Sequence, residues 1–460
     1  MGVKRAKLNL DFGHSGICMN FAVEGDIQAR NSVESEWHLI SLKLDNEVFA
    51  DFPGNPQNKI LDSEVKNKAI FIEKKIEEWQ REHGYEIDSF AEVTISASCF
   101  EVLSFPYAPG FESKVITEED VKKIELCKQS EIPIPDKKIK AFISPYFLIS
   151  NGKDLVKVSN PIRKTTKNLG FHTYFITEHP MLSRLVDIMR NDGDKVSISL
   201  SCEKEFKALA GEEERSGKTM LINITDSITE FSVWDKSELK YLNKKETGLR
   251  ELKNIIWRLC LCYYRIKDLA NRDYELAYDD KAIQAFYEKA KNIEIQADSR
   301  DLLSADDCSG LLKLASCILE KETEYNPGAN RMALPGKNNS KTNLSISNYV
   351  LSYFTKEAIR GILSEIKHTV ETDKFCEPEY VIIECSLPLK GLEKLATGVF
   401  GIPVKRKLPK WAGEHRDDFS VAGIGALKGL ISGEYPVETK KIRKKTRKIS
   451  TLLGNFFNRA

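Results

Sequence analysis

Apolar and polar positions along this chain switch repeatedly between a two-residue and a helical period, and the switches predict an alternating α/β protein. KLNLDFG (7–13) and ICMNFAVEG (17–25) flank a Gly/Ser turn and read as a hairpin, and WHLISLKL (37–44) continues the strand pattern. KNKAIFIEKKIEEWQREHG (66–84) has apolar residues at helical spacing and a glycine stop, and FAEVTISAS (90–98) reads as a buried strand. VITEEDVKKIELCKQS (115–130) opens on a threonine with acids in its first turn, a helix N-terminus. A helix is predicted over 179–193, a strand over 195–201 and a helix over 203–217. MLINITDSITEFSVWDKSEL (220–239) is two strands around a polar turn, and a long amphipathic helix is predicted over 246–271.

The stretch 326–345 reads as a loop; after it come helix 353–371, strand 380–386, helix 390–401 and the glycine-rich motif FSVAGIGALKGLISG (419–433). A β-turn-β opening thus occurs twice, at 7–24 and 219–234, each time followed by helices. Two α/β halves with a cleft between them is the simplest architecture.

The last stretch is different in kind. Seven of the nine residues from Lys440 to Lys448 are basic, and Ile449, Leu452, Leu453, Phe456 and Phe457 follow at offsets that place all five on one face of a helix. Such a tail could anchor to a membrane, contact nucleic acid, or pack on the core. Complete burial of each apolar residue is worth about 1.5–3 kcal/mol, only partly realised at an interface. Each basic residue adds about 1 kcal/mol near an anionic surface. The two terms together suffice for reversible membrane attachment, through Lys444, Lys445, Arg447, Lys448 and the five apolar residues. Aromatic residues do not interleave the basic ones, which argues against a nucleic-acid arm.

Charge sharpens this division. The chain of 460 residues carries a net +1, but residues 440–460 hold eight Lys/Arg and no acid, which leaves −7 for the rest. An acidic body does not wrap nucleic acid. Length predicts about three folded units. The ten cysteines include no C-x-x-C pair, so core thiols of a cytosolic protein are expected rather than a metal site or disulfides. MGVKRAKLNLDFG has no apolar segment of a signal peptide, Gly2 lacks the Ser/Thr of a myristoylation signal, and no run is long enough to span a bilayer.

Candidate chemistry is confined to the two turns. In LDFGHSG (10–16) an Asp near a strand end precedes a glycine-rich turn whose backbone N–H groups could cradle a phosphate while the carboxylate orients Mg²⁺; the same pattern also serves an ordinary hairpin. In INITDSITEF (222–231) Asn223 stands at the acid position and Thr225-Asp226-Ser227 fill the turn, where side chains obstruct phosphate and Asp226 repels it. GEEERSGKT (211–219) imitates a P-loop but has five residues between its glycines instead of four, three glutamates, and a predicted helix before it. The seven histidines are dispersed without ligand spacing.

In order and spacing these segments resemble the actin/Hsp70 superfamily and, within it, the bacterial cell-division proteins of the FtsA family. LDFGHSGICMNFAVEG resembles the first phosphate segment, SKVITEEDVKKIELCKQSEIPIPDKKI (113–139) the stretch that opens the extra subdomain 1C, and MLINITDSITEFSVWDKSEL the second phosphate hairpin. KGLEKLATGVFGIPVKRKLP and FSVAGIGALKGLISG resemble the closing segment, and the tail resembles the family's membrane-targeting helix. The resemblance implies an actin-like α/β fold of two halves with an inter-domain cleft and a 1C subdomain. Its implied boundaries are 1–103 and 179–215 for subdomain 1A, 104–178 for 1C, 216–265 and 346–405 for 2A, and 266–345 for 2B. A closing 1A segment at 406–433 and a linker with the membrane helix at 434–460 complete the division.

The resemblance also implies ATP and Mg²⁺ as cofactors, held by Asp11 (through Mg²⁺), Gly13, His14 and Ser15 and, across the cleft, by Asn223, Thr225 and Ser227. The family's second acid and its glycines are absent from that second turn, its Gly-Gly pair after strand 380–383 is Glu384-Cys385-Ser386, and its connecting motif is Thr247-Gly248-Leu249 with Lys253-Asn254-Ile255. Weak or lost hydrolysis is therefore expected. The implied role is tethering an FtsZ-like polymer, through 2B, to the inner face of the cytoplasmic membrane at the division septum, with other division proteins on 1C and self-association into filaments. A PilM-type adaptor of pilus assembly and a still active actin-like ATPase are the alternatives.

Overall fold

The computed structural model describes residues 4–13, 16–24, 37–44, 62–96, 99–107, 110–131, 138–143, 147–150, 156–158, 160–179, 197–225, 228–249, 331–335, 341–372, 378–385, 391–406 and 421–432, with single positions between them. The expected tail at 434–460 and most of 266–345 lie outside these residues.

Two five-stranded sheets share one plan. In the first, β1 (Lys4–Gly13), β2 (Gly16–Glu24) and β3 (Trp37–Lys43) form an antiparallel meander. β4 (Tyr85–Ile95) then joins β1 in parallel and β11 (Ser197–Leu200) joins β4 in parallel. In the second, β12 (Lys218–Ile224), β13 (Thr229–Asp235) and β14 (Glu238–Lys245) repeat the meander. β17 (Tyr380–Cys385) and β18 (Val404–Arg406) repeat the parallel pair. Each sheet therefore runs third-second-first-fourth-fifth in chain order. A parallel partner requires a crossover. Helix α1 (Asp62–His83) supplies it in the first half and α5 (Asn348–Thr372) in the second.

The fourth-to-fifth connection separates the halves. In the second, among the described residues, it is one short helix, α6 (Leu392–Phe400). In the first, a third sheet is inserted there, built around the long strand β10 (Thr165–Glu178). β5 (Phe100–Tyr107) and β6 (Gly110–Val115) flank β10 on one side, and β7 (Lys138–Ile143) and β8 (Phe147–Ser150) pair it too, with β9 (Val156–Val158) outside β8. Helix α2 (Glu118–Glu131) adds a small core of Ile116, Ile124, Leu169 and Phe171. Thr117 and Asp120 cap it reciprocally: Asp120 Oδ2 accepts from the Thr117 amide at 2.9 Å, and Thr117 Oγ1 accepts from the Asp120 amide at 3.3 Å.

α1 shows why pattern sufficed for so much of the fold. Val65, Ala69, Ile72, Ile76 and Trp79, spaced four, three, four and three apart, are all buried. Trp79 stacks on Phe21 of β2 at 3.7 Å between ring centroids. Gly84, at φ +70°, closes the helix by donating its amide to the Gln80 carbonyl at 2.9 Å.

Two sequence expectations change. The helix read over 203–217 is two, α3 (Ser201–Leu209) and α4 (Glu212–Ser216), because Ala210 and Gly211 are extended and the Gly211 amide donates to Glu214 Oε2 at 2.9 Å as a fresh cap. The loop read over 326–345 contains a hairpin of β15 (Arg331–Pro335) and β16 (Lys341–Ser347). Strand β14 had no place in the sequence reading. Its pattern, ELKYLNKK, is broken by adjacent buried Tyr241 and Leu242 and a register shift at Val233/Trp234.

The final helix, α7 (Val421–Ser432), lies on α3 and on the first sheet. Its glycines permit that seat. A β-carbon at Gly423 would fall 2.0 Å from Asn20 Nδ2, and one at Gly425 would fall 2.2 Å from the Lys204 carbonyl oxygen.

Candidate functional site

Asp11 and Asn223 occupy the same place in their hairpins, two positions before the last pair of each turn: Gly13 with Gly16, and Thr225 with Ile228. Asp11 is flanked in register by Cys18 and Thr94, and Asn223 by Glu230 and Glu384. Residues opposite one another in a sheet share a face. The second half thus presents a row Glu230–Asn223–Glu384 where the first presents Cys18–Asp11–Thr94.

Helix α3 joins the two rows. Ser201 and Glu205, four apart, lie on one side of it. Ser201 Oγ donates to Asp11 Oδ1 at 3.0 Å, and Glu205 Oε1 accepts from Asn223 Nδ2 at 3.0 Å. Thr94 Oγ1 gives Asp11 Oδ1 a second hydrogen bond at 2.6 Å. Farther along α3, Phe206 stacks on Trp234 of β13 at 4.3 Å between ring centroids, the rings nearly parallel. Lys204, also on α3, pairs with buried Glu92 of β4 at 2.8 Å. The neighbouring polar side chains are also satisfied within the sheet: Asn9 donates to the Glu92 carbonyl, and Asn20 to Asn9 Oδ1.

Four carboxyl groups therefore surround one face of α3: Asp11, Glu205, Glu230 and Glu384. The first three are 5%, 6% and 3% exposed. Glu384 is partly exposed as a residue, yet its Oε2 is sealed from solvent, and neither it nor Glu205 Oε2 has a hydrogen-bond partner among the described residues. Burial pushes the Glu205 carboxyl well above the ordinary range, reinforced by Glu384, Glu230 and Asp11 and opposed by the Asn223 amide. Burial likewise pushes Glu384 up to about 7, against the pull of Arg406 on β18 and with a further push from Asp11. Cys202, enclosed beside Glu230, Glu203 and Glu205, is also held far toward the thiol, mainly by burial, and is no nucleophile.

The residues expected to grip a nucleotide are arranged otherwise. Gly13 closes the first hairpin against Gly16; His14, Ser15 and Ser227 lie outside the described residues. Thr225 is engaged by its own turn. Its hydroxyl donates to the Ile228 carbonyl at 2.7 Å, its amide donates to the same oxygen at 3.0 Å, and its carbonyl accepts from the Leu249 amide. Asn223 is turned to Glu205. Among the described residues no three His, Cys, Asp or Glu side chains gather as metal ligands would. The described residues at this place do not fit a magnesium-bound polyphosphate: the acid layer would repel it, and the second turn offers no free amide at Thr225.

Glu205, Glu230 and Glu384 were missing from the sequence-derived candidates. Glu384 carried a legible signal, a charge inside the apolar strand YVIIEC, and Glu230 a similar one in TEFSVW. Glu205 sits among ordinary surface-like residues of EKEFK, and only its contact with Asn223 reveals it. The P-loop imitation at 211–219 is instead a helix end running into β12, with the Thr219 hydroxyl donating to the Glu214 carbonyl at 2.7 Å.

No family profile and no curated protein matches the chain. Solved structures do. A chain of the PilM-PilN type IV pilus biogenesis complex is 12% identical, with 92% of this chain and 98% of that one covered at a TM-score of 0.41. MreB5 of Spiroplasma citri bound to ADP is 10% identical, with 95% and 99% covered at 0.42. The same protein bound to AMPPNP is 10% identical, with 94% and 98% covered at 0.42. The fold class rests on strand order: an α/β protein of two like-built halves, the first carrying an inserted third sheet, as the resemblance to the actin-like fold implied.

Proposed function

We propose that this chain is an actin-fold scaffold of the FtsA kind, which links a cytoplasmic polymer to the inner face of the cytoplasmic membrane without relying on ATP hydrolysis. The observation that carries the scaffold reading is the buried layer of Asp11, Glu205, Glu230 and Glu384 between the two hairpins that would otherwise hold phosphate. A protein that assembles by many weak contacts needs no fast turnover. The membrane link rests on the sequence of the tail, seven basic residues in nine followed by an apolar stripe. An FtsZ-like polymer and other division proteins are the partners this reading assigns, together with self-association and a position at the septum. Among the described residues no helix is long and apolar enough to cross a membrane, so the tail is the element to test.

Co-sedimentation with anionic vesicles, comparing the full chain with one truncated after Gly433, is the test. The full chain alone should pellet, and salt should weaken it. If neither form pellets, the tether reading fails and a soluble adaptor of the PilM type takes its place. Nucleotide retained through purification and released as ADP in a single-turnover assay would instead favour the active ATPase.

A further inference from the structure

Five positions in the first turns of α3 are each tied to a different element. Ser201 donates to Asp11 of β1, Lys204 pairs with Glu92 of β4, Glu205 accepts from Asn223 of β12, and Phe206 stacks on Trp234 of β13. The fifth, Glu203, pairs with Lys140 of β7, a strand of the inserted sheet rather than of either five-stranded sheet. The rest of β7 is engaged at the same junction. It is hydrogen-bonded to β10 of the insert, its Ile139 packs on the main core, and it lies against β11 and β14. β11 is the outer strand of the first sheet and β14 the outer strand of the second. One strand of the insert thus touches the margins of both sheets and the helix that ties them together. A half-exposed ion pair adds little by itself, but a strand packed on two sheets and pinned to their common helix restrains how they move relative to one another.

We infer that the inserted sheet braces the two halves through β7 and α3, setting their separation in place of a bound ligand, so that a load on the insert reaches the second sheet. Displacement of β7 draws on Glu203. α3 responds as a unit, because its backbone hydrogen bonds close within the helix. Glu205 and Phe206, two and three residues on, carry the movement to Asn223 and Trp234. The insert is then a regulatory element, and a partner seated on it is felt at the hairpin of β12 and β13. The inference rests on the proposed function only in taking the halves to hold no nucleotide, and it is independent of whether the tail meets a membrane.

The test is hydrogen exchange of the full chain for wild type, Lys140→Glu, and Lys140→Glu combined with Glu203→Lys, without nucleotide and again with Mg-ATP. Reversal at Lys140 sets two carboxylates against each other where β7 meets α3, and the combined change restores the attraction with its signs exchanged. Without nucleotide, Lys140→Glu should speed exchange of α3, β12 and β13 by about threefold or more, the scale of a lost surface pair, and leave α1 unchanged. The combined variant should recover at least half of that change. Full recovery is opposed by a lysine in the first turn of α3, at the positive end of the helix. Lys140→Met, which keeps the stem and loses the charge, gives the same comparison at smaller size if the reversed variant does not fold. Exchange altered only in β7 and α3, or speeded equally in α1, overturns the inference, as does a combined variant no better than the single one. Mg-ATP that returns Lys140→Glu to the wild-type rates overturns it together with the nucleotide-free reading, because a ligand would then be closing the halves. Mg-ATP that slows wild type while the variants keep their differences upholds the brace and overturns only the nucleotide-free reading. Differences that Mg-ATP leaves unchanged, with wild type unaffected, uphold both.

Discussion

Replacing Gly425 with alanine probes the seat of α7 most directly, because the obstruction is backbone. The added carbon would lie 2.2 Å from the Lys204 carbonyl oxygen and 2.8 Å from its carbonyl carbon. That is about 1 Å short of ordinary contact. A carbonyl inside α3 cannot swing aside without disturbing the turn that places Ser201 and Glu205, so one helix must back away from the other. Overpacking of this kind costs typically about 1–3 kcal/mol, and here the upper end applies. Against it stands the helix preference of alanine over glycine, about 1 kcal/mol. The net expectation is a loss of about 2 kcal/mol, or about half a molar in the urea midpoint for a slope of 3–4 kcal/mol per molar. Gly361→Ala in α5 and Gly398→Ala in α6 are the controls. Nothing lies within 4 Å of either new carbon, so only the preference remains and both variants should gain up to about 1 kcal/mol. Equilibrium unfolding followed by far-UV circular dichroism compares all four proteins. If Gly425→Ala unfolds at or above the wild-type midpoint while the controls behave, the close approach of α7 to α3 is wrong.

The remaining predictions concern charge and caps. Glu384, raised to about 7 from an ordinary 4.5, binds a proton in the folded chain that the unfolded chain releases. Its stabilising contribution is complete below about pH 4.5 and is lost as pH rises through 7, a span worth at most about 3 kcal/mol, which Glu384→Gln should remove from a denaturation series run across that range. Lys204→Met leaves Glu92 charged and buried, and should cost about 3–5 kcal/mol; adding Glu92→Gln should recover most of it, as a double-mutant cycle in urea would show. Thr117→Ala removes the cap of α2 and should cost about 1 kcal/mol. Asp120, drawn down to about 2 by Lys114 and the Thr117 amide, should weaken the same cap as pH falls from about 4 to about 2, read by exchange of the α2 amides.

Much of the fold was legible because single-element patterns carry it. The buried stripe of α1, the alternation Leu8, Leu10, Phe12 in β1 and the apolar run of β17 each name their element without reference to a partner. The repetition of the hairpin was legible too, and the register confirms that Asp11 and Asn223 stand at equivalent points. The break between α3 and α4 was not, since a helical pattern continues through Gly211 and only the bond from its amide to Glu214 stops it. The hairpin of β15 and β16 was hidden in a loop-like composition, because pairing, not propensity, makes two short strands.

The candidate site divides along the same line. Sequence alone determined which turn carries an aspartate and which an asparagine at the matching position, since that is a matter of residue identity at a recognisable spacing. It also determined that the tail is basic and amphipathic. Tertiary structure decided that Glu205, 18 residues from Asn223 in the chain, would turn to it, and that Glu230 and Glu384 would flank the same position. A carboxyl in a sequence is a solvated charge until the fold closes over it. The energy that makes these four residues unusual comes from desolvation and mutual proximity, and neither exists before the two sheets meet across α3.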